Sequence, residues 1–488
     1  MTSPPVPEDI LIRNATVLVA DAEGTVLDSA DVLVSGGVIA SVGAHQPPRP
    51  GFAGRVIEAG GMLLAPGLVN AHTPSPSHHT HGSGDRQSHP AFMWMSQAIT
   101  ANRTPREIYI GAMLGAVQML KTGTTAAMDH FPGQACTAAE VDAVMAAHVD
   151  SGMRVALGVR FYDAEFGDIL PRGGNVPDQI VSEMKRLNPL RPMGYGEVKA
   201  VMDHAIGRWH GTEDGRLSVF PAPSNPERCT DEALVLCRDL AEAHDLGIHT
   251  HLLESRVQAT IAQEKYGCTM VAHLGRLGLL GPRLSCVHTI WVDEADIALL
   301  GETGTVVVHN PESNLKIGTG IAPIPEMRAR GVSVALGTDG AGTNDNLIMH
   351  EAMRLAAMLH RTSLRDRSKW LGAHDVLRMA TDGGAAALRM QDRLGSVEPG
   401  RRADLVLYRL DEPWWIPLND PLNQFVFCEN GSSADTVIVD GRILVDGGRI
   451  VAFDADAILA EAREMMRAIR ARNADLYRLA ERMGEFFP

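Results

Sequence analysis

Leu246-Gly247-Ile248-His249-Thr250-His251-Leu252-Leu253-Glu254 decides how this chain is read. An apolar run ending in His-x-x-Glu has the pattern of a buried parallel strand. The carboxyl end of such a strand delivers a nitrogen ligand and a carboxylate into one pocket. The pair suits hydrolysis at a metal: the imidazole holds the ion, and the glutamate moves a proton of the attacking water. Alone the tetrapeptide is a weak signal, since His and Glu recur at that spacing by chance. Its neighbours give it weight.

On both sides of it, apolar runs alternate with helical patterns, the rhythm of a parallel barrel. Strands are expected at 63–72, 124–130, 154–159, 217–221, 247–251, 284–288, 305–309 and 332–339, with a helix over 104–120. Eight such strands make an α/β fold of the (β/α)8, TIM-like kind, whose C-terminal strand ends form the active-site face. His72 ends the first strand, His251 and Glu254 follow the fifth, His288 ends the sixth and Asp339 the eighth. A lone histidine at a strand end is more often hydrogen-bonded filler than ligand. Groups of this kind at four strand ends of one barrel converge on a site.

The flanks have another texture. Ile10-Leu11-Ile12, Thr16-Val17-Leu18-Val19, Asp31-Val32-Leu33-Val34 and Val38-Ile39-Ala40-Ser41-Val42 are short strands, with Asp21, Gly24, Gly36 and Gly37 between them. Ala403-Asp404-Leu405-Val406-Leu407-Tyr408 and Thr436-Val437-Ile438-Val439 repeat that texture near the C-terminus. A small β-sandwich assembled from both chain ends is expected. The chain then divides into 1–62 (sandwich), 63–394 (barrel), 395–452 (sandwich) and 453–488. The last part, 456–487, reads as one amphipathic helix with Ile458, Met465, Met466, Ile469, Leu476, Leu479 and Met483 on one face. Packing onto the body or a sister subunit is the favoured use of that face.

The bulk numbers exclude several classes. In 488 residues, 45% hydrophobic and 21% charged, a sizeable core is possible. A net charge of -15 argues against nucleic acid or an anionic membrane as partner. Cys136, Cys229, Cys237, Cys268, Cys286 and Cys428 show no C-x-x-C spacing, which favours reduced thiols in a cytoplasmic protein over a disulfide framework. Met1-Thr2-Ser3-Pro4-Pro5 opens no secretory signal, and no apolar stretch approaches a membrane span.

Taken together, six stretches resemble the amidohydrolase superfamily, in particular its branch of triazine hydrolases and heterocycle deaminases. They are Pro66-Gly67-Leu68-Val69-Asn70-Ala71-His72, Gly123-Thr124-Thr125, His249-Thr250-His251-Leu252-Leu253-Glu254, His309-Asn310-Pro311-Glu312-Ser313-Asn314-Leu315-Lys316, Leu336-Gly337-Thr338-Asp339-Gly340 and Gly395-Ser396-Val397-Glu398-Pro399-Gly400-Arg401-Arg402-Ala403-Asp404. The resemblance covers nearly the whole chain. It implies that His72, His251 and Asp339 bind one divalent metal, zinc first and iron second. It implies that Glu254 shuttles a proton from the attacking water to the leaving group. His288 touches the metal or polarises the substrate, and Asp339 shares the water's proton. It also implies a homo-oligomer, a dimer or larger.

The chain departs from the family at one point. The family's first strand ends His-x-His, two imidazoles on one side of the strand; here it reads His72-Thr73-Pro74, and proline has no donor atom. Three accounts are open. A histidine of the next loop, His78, His79 or His81, completes the site. Three protein ligands suffice, as in many catalytic zinc sites. Or the protein binds no metal and has become a binding-only descendant of the barrel. The second ranks slightly above the first. The third ranks well below both, because titratable groups in a dry pocket are costly without a charge to satisfy.

At the substrate end, Phe92-Met93-Trp94-Met95 offers an apolar wall for a flat ring, Trp94 included, or equally packs its loop onto the barrel rim. His130, ending strand two, is a hydrogen-bond partner for a substrate heteroatom. Arg160, ending strand three beside Asp163, suits a carboxylate or carbonyl, and Asn314 lies in the loop after strand seven. The expected reaction is hydrolytic deamination of an amino-substituted nitrogen heterocycle or related amidine, a small molecule. Dechlorination or dealkylamination of a triazine is the alternative, because it shares the addition step.

Overall fold

The computed structural model describes residues 9–44, 52–86, 89–131, 136–164, 177–187 and 191–486. The N-terminal stretch from Met1 and the end of the expected last helix, Phe487, lie outside them. Eight parallel strands carry the chemistry: β1 (Leu68–Thr73), β2 (Thr124–Phe131), β3 (Arg154–Phe161), β4 (Leu217–Pro223), β5 (Ile248–Leu252), β6 (Leu284–His288), β7 (Val306–His309) and β8 (Ser333–Leu336). They are the expected eight with shifted ends, the second to fourth running one or two residues longer and the first, seventh and eighth shorter. Most are buried on both faces, as the near-continuous apolar runs require.

Continuous ladders join β1 to β4 and β5 to β8 as two four-stranded sheets in chain order, so pairing does not run unbroken round a ring. The halves meet at two seams. At one, the His251 amide donates to the Ser224 carbonyl at 3.3 Å; at the other, the Asp339 amide donates to the His72 carbonyl at 3.0 Å. Both seams fall at site residues, which fixes the C-terminal strand ends against one another.

The two chain ends meet as expected, but their strands form one nine-stranded sheet by hydrogen bonding. Its order is Arg449–Ile450, Arg442–Asp446, Ala434–Val439, Leu405–Arg409, Met62–Pro66, Ile10–Leu18, Val26–Ser35 and Val38–Ala44, with Arg55–Glu58 pairing beside Ile10–Leu18. This corrects the first expected strand. Residues 63–66 pair with Leu405–Arg409, and only Leu68 onward enters the barrel. Gly67 is the switch between them: a Cβ there would stand 2.0 Å from Thr125 Oγ1. Arg154, at the start of β3, ties barrel to sheet. Fully buried, it donates to Asp404 at 2.8 and 3.0 Å and to Asp440 at 3.0 Å.

Helix α1 (His89–Thr100) follows the histidine loop, and α2 (Pro105–Lys121) starts at Thr104, which closes a capping box with Glu107. The expected single C-terminal helix is two, α3 (Ala455–Arg472) and α4 (Ala474–Phe486). The break is at Asn473, buried at 2% exposure, whose Nδ2 donates to the carbonyls of Ala98 and Ala101 on the α1 side. Among the described residues, no helix is long and apolar enough to cross a membrane.

Candidate active site

Four strand ends deliver the predicted groups to one place. The rings of His72 and His251 are 5.0 Å apart, those of His251 and His288 5.5 Å, and those of His72 and His288 6.2 Å. His72 Nε2 stands 3.4 Å from Asp339 Oδ1, and His288 Nε2 stands 3.8 Å from Glu254 Oε1. The backbone is bent to achieve this. Leu253, His288, Thr289 and Asp339 all adopt positive φ, between 49° and 68°. Non-glycine residues avoid that region, and such strain gathers at functional sites.

The hydrogen bonds fix which nitrogen of each ring is open. His251 Nδ1 lies 2.7 Å from the Ser224 carbonyl, which can only accept, so Nδ1 carries the proton and Nε2 the lone pair. A longer chain orients His72. Ser285 Oγ donates to the Ile248 carbonyl at 3.2 Å, so it accepts from His249 Nδ1 at 2.7 Å. Neutral His249 then accepts at Nε2 from His72 Nδ1 at 2.8 Å. His72 Nε2 is left with a lone pair, fully buried and with no hydrogen-bond partner among the described residues. Burial, reinforced by the neighbouring imidazoles, keeps His249 neutral and pushes His251 down to about 3.

The carboxylate of Asp339 faces that lone pair. Burial alone would push this carboxyl up; a proton on His72 Nε2 in place of that lone pair, with His288 and the Ser313 hydroxyl, outweighs it and holds the carboxyl well below the usual carboxylate range. Ser313 Oγ donates to Oδ2 at 2.6 Å. A nitrogen lone pair and an ionised carboxylate oxygen 3.4 Å apart are two acceptors with a cation's place between them. The residues present therefore fit a divalent ion.

His130, expected as a substrate contact, is drawn into the histidine group instead. His72, His130 and His251 each bring one ring nitrogen within 4.8 Å of the other two. His130 stacks on His251 at 4.6 Å and meets His72 edge-on at 5.4 Å. Both of its nitrogens are buried without a hydrogen-bond partner among the described residues. Burial, then the surrounding histidines and Arg160, push it well below its ordinary value.

The loop histidines lie elsewhere. His78 Nε2 is 2.9 Å from Thr73 Oγ1, and its ring lies against Gly115 of α2, where a Cβ would come within 1.8 Å of Nδ1. His79 packs by Gly111, and His81 reaches Gln118 at 3.3 Å. Trp94, expected as a wall for the substrate ring, is 1% exposed in an apolar cluster with Leu476, Leu479 and Met483 of α4. It packs α1 against the C-terminal helices. Phe92 is the aromatic near the strand-eight loop, 3.3 Å from the Cβ position of Gly342.

Asn314 also differs from expectation: its Oδ1 accepts from His288 Nδ1 at 2.8 Å, which leaves His288 Nε2 to face Glu254. Arg160 has no ion pair with Asp163, whose carboxylate holds the Thr230 amide at 2.8 Å and hydroxyl at 2.5 Å. Burial and then Arg228 push the Arg160 guanidinium down to about 10, with Arg103 adding to the effect, so it keeps its charge at neutral pH. His249, Ser285 and Ser313 were not singled out from the sequence. The signal for His249 was there, since His249 and His251 are two apart on one strand and share a face.

The amidohydrolase family model matches residues 63–444. The chain is 34% identical over 466 residues to a 5-methylthioadenosine/S-adenosylhomocysteine deaminase of Syntrophobacter fumaroxidans, covering 95% of this chain and 98% of that one. It is 31% identical over 470 residues to a 5'-deoxyadenosine deaminase of Methanosarcina mazei, covering 95% and 99%. Among solved structures it resembles an adenosine deaminase from Xanthomonas campestris with bound zinc (30% identity, TM-score 0.81, 96% and 100% covered). It also resembles the atrazine chlorohydrolase of Arthrobacter aurescens complexed with zinc (27% identity, TM-score 0.81, 94% and 100% covered).

Proposed function

The chain belongs to the amidohydrolase family, and from that premise we propose how it works as a hydrolase of carbon–nitrogen bonds other than peptide bonds. It is a metal-dependent deaminase of an amino-substituted nitrogen heterocycle. The names of its relatives support a 6-aminopurine carried on a 5'-modified sugar as the substrate class. The zinc in the neighbouring structures supports zinc as its ion. The meeting of Glu254 with His288, and of Asp339 with His72, at one barrel end is the observation that carries this reading.

His72 and His251 offer lone pairs at Nε2 and Asp339 an ionised carboxylate, so these would hold the ion, with His288 beside them. A bound divalent cation supplies a Lewis acid that brings water's pKa to roughly 7, so hydroxide is available at neutral pH. Glu254 takes the proton of the attacking water and hands it to the amino group as it leaves. His288, oriented by Asn314, stands beside Glu254 to polarise the ring C=N unit as the tetrahedral carbon forms. Asp339 takes the second proton of the water and passes it on to the ring nitrogen of that C=N unit, so that the carbonyl product and ammonia form. Arg160, charged and without an ion pair among the described residues, binds a carbonyl or anionic group at the far end of the substrate. A triazine leaving group would use the same addition step and is the second reading, supported by the chlorohydrolase likeness.

Four expectations from the sequence remain part of this proposal. They are a cytoplasmic setting, for which the free cysteines speak; a homo-oligomer; activity without a nucleic-acid partner; and the four-part division of the chain, with the first seam at Gly67.

The test is Glu254→Gln, assayed by ammonia release from 5'-modified adenosines. Turnover should fall by about 10²–10⁴-fold while metal content stays as in the unmodified protein. Retained turnover would remove Glu254 from the proton path.

A further inference from the structure

Position 74 is where the family resemblance asks for a second imidazole, and it is a proline. The strand pairing shows what stands beside it. Thr73 of β1 pairs with Asp129 of β2 in a parallel ladder, so the next residues, Pro74 and His130, lie side by side. Residues at one level of a parallel pair point to the same face, and residue 74 shares its face with residue 72. His130 thus enters, from the neighbouring strand, the space that a side chain at 74 would have filled. The edge-on meeting of the His72 and His130 rings at 5.4 Å bears this out.

From this geometry we infer that His130 replaces the missing first-strand ligand and holds the divalent ion together with His72 and His251. One nitrogen of each lies within 4.8 Å of the other two. His72 and His251 have their Nδ1 protons committed to His249 and to the Ser224 carbonyl, and so present Nε2. His130 has both nitrogens buried and unpartnered among the described residues, and buried nitrogens without partners are rare unless something binds there. Three imidazoles with an open position form the donor set of a catalytic zinc. Asp339 closes one side, and His288 is left with Glu254 for the chemistry. Of the loop histidines, His78 is bonded to Thr73 and His81 to Gln118, while His79 packs by Gly111 of α2 with both nitrogens also unpartnered among the described residues; what sets His130 apart is that it stands within 4.8 Å of His72 and His251. The inference rests on the metal-dependent reading above and adds to it a ligand from strand two.

The test uses zinc itself, titrated into the metal-free full chain against a chromophoric chelator, with cobalt substitution to read the visible spectrum of the site. The unmodified protein should bind about one ion per chain. His130→Ala should bind at least tenfold more weakly and give a weakened, shifted cobalt band. Pro74→His should change affinity less than threefold on its own but restore most of the loss when combined with His130→Ala, because the two positions serve one coordination site. If His130→Ala does not melt cooperatively, His130→Gln carries the same comparison. Unchanged affinity and spectrum without the imidazole would overturn the inference and leave the metal-dependent reading standing. So would a tenfold gain from Pro74→His alone. An unmodified protein that takes up no ion would overturn both.

Discussion

His72 presents its Nε2 lone pair because of three residues on two other strands. The Ile248 carbonyl fixes the Ser285 hydroxyl, that hydroxyl fixes His249, and His249 fixes His72. Partners of this kind tune a metal site about as strongly as they are able to turn its ligands, by about 10–100-fold in affinity. His249→Phe keeps the ring's bulk and removes both hydrogen bonds; zinc affinity by chelator competition should fall within that range, with the fold retained. Unchanged affinity would mean that His72 is held by packing alone. At this scale the sequence was legible wherever a polar residue closes an apolar run, as at His72, His251, His288 and Asp339. It was not legible where a role depends on register. His249 faces Ser285 only because β5 and β6 pair at that level, and His130 stands beside Pro74 only because β1 slips past β2 by a residue after Asn70. Trp94 stayed open between wall and packing because an aromatic cluster looks alike in either use, and what covers it, Leu479 and Met483, lies almost 400 residues away.

Among the elements, the junction of barrel and sheet hangs on one buried guanidinium. Arg154 carries two bonds to Asp404 and one to Asp440, and Asp404 also accepts the Asp440 amide at 2.9 Å. Burial works against the Arg154 charge, but the two carboxylates outweigh it and raise its pKa. Removing one partner of a buried, hydrogen-bonded ion pair costs about 3–5 kcal/mol because the other charge is left unpaired. Asp404→Ala leaves Arg154 with Asp440 alone and should lower unfolding free energy by about 3 kcal/mol, the lower end of that range, in denaturant melts; a loss under 1 kcal/mol would show that Asp440 by itself satisfies the arginine. The barrel strands were legible as apolar runs, and so was the union of the chain ends. The Met62–Pro66 strand was not. It continues without a break in hydrophobicity into β1, and only the close approach of Thr125 to Gly67 separates the two. The break between α3 and α4 was hidden likewise, since an asparagine on an amphipathic helix carries no sign that it will bond another helix's carbonyls.

Over the whole molecule, the buried histidines set an acid limit that is independent of the metal. His78 is pushed down to about 4, and His79 and His309 to about 3, burial being the largest cause in each. Their folded pKa values lie below the unfolded value of about 6.5, so between the two the unfolded chain binds protons that the folded chain does not. Stability from these groups is complete above about pH 6.5 and is lost as pH falls toward 4, by about 1.4 kcal/mol per pH unit for each histidine. Melting temperature of the metal-free protein should fall steeply from pH 6.5 to 4.5; a flat profile would mean that these rings gain protons without unfolding. At this scale the barrel rhythm and the strand-end residues pointed to hydrolysis at a metal, and the resemblance of six stretches to a known family carried the reading to a C–N hydrolase; the substrate was not legible, because those stretches are shared by deaminases and triazine hydrolases alike. In the proposed function, hydrolysis runs on a divalent ion held at the barrel's C-terminal end. The most direct measurement is elemental analysis of the purified protein before and after chelation, with ammonia release from 5'-modified adenosines followed on the same samples. About one zinc per chain should be found, release should vanish with its removal, and both should return on adding zinc. Ammonia release that persists at full rate in a metal-free protein, or a protein that takes up no divalent ion, would contradict the account.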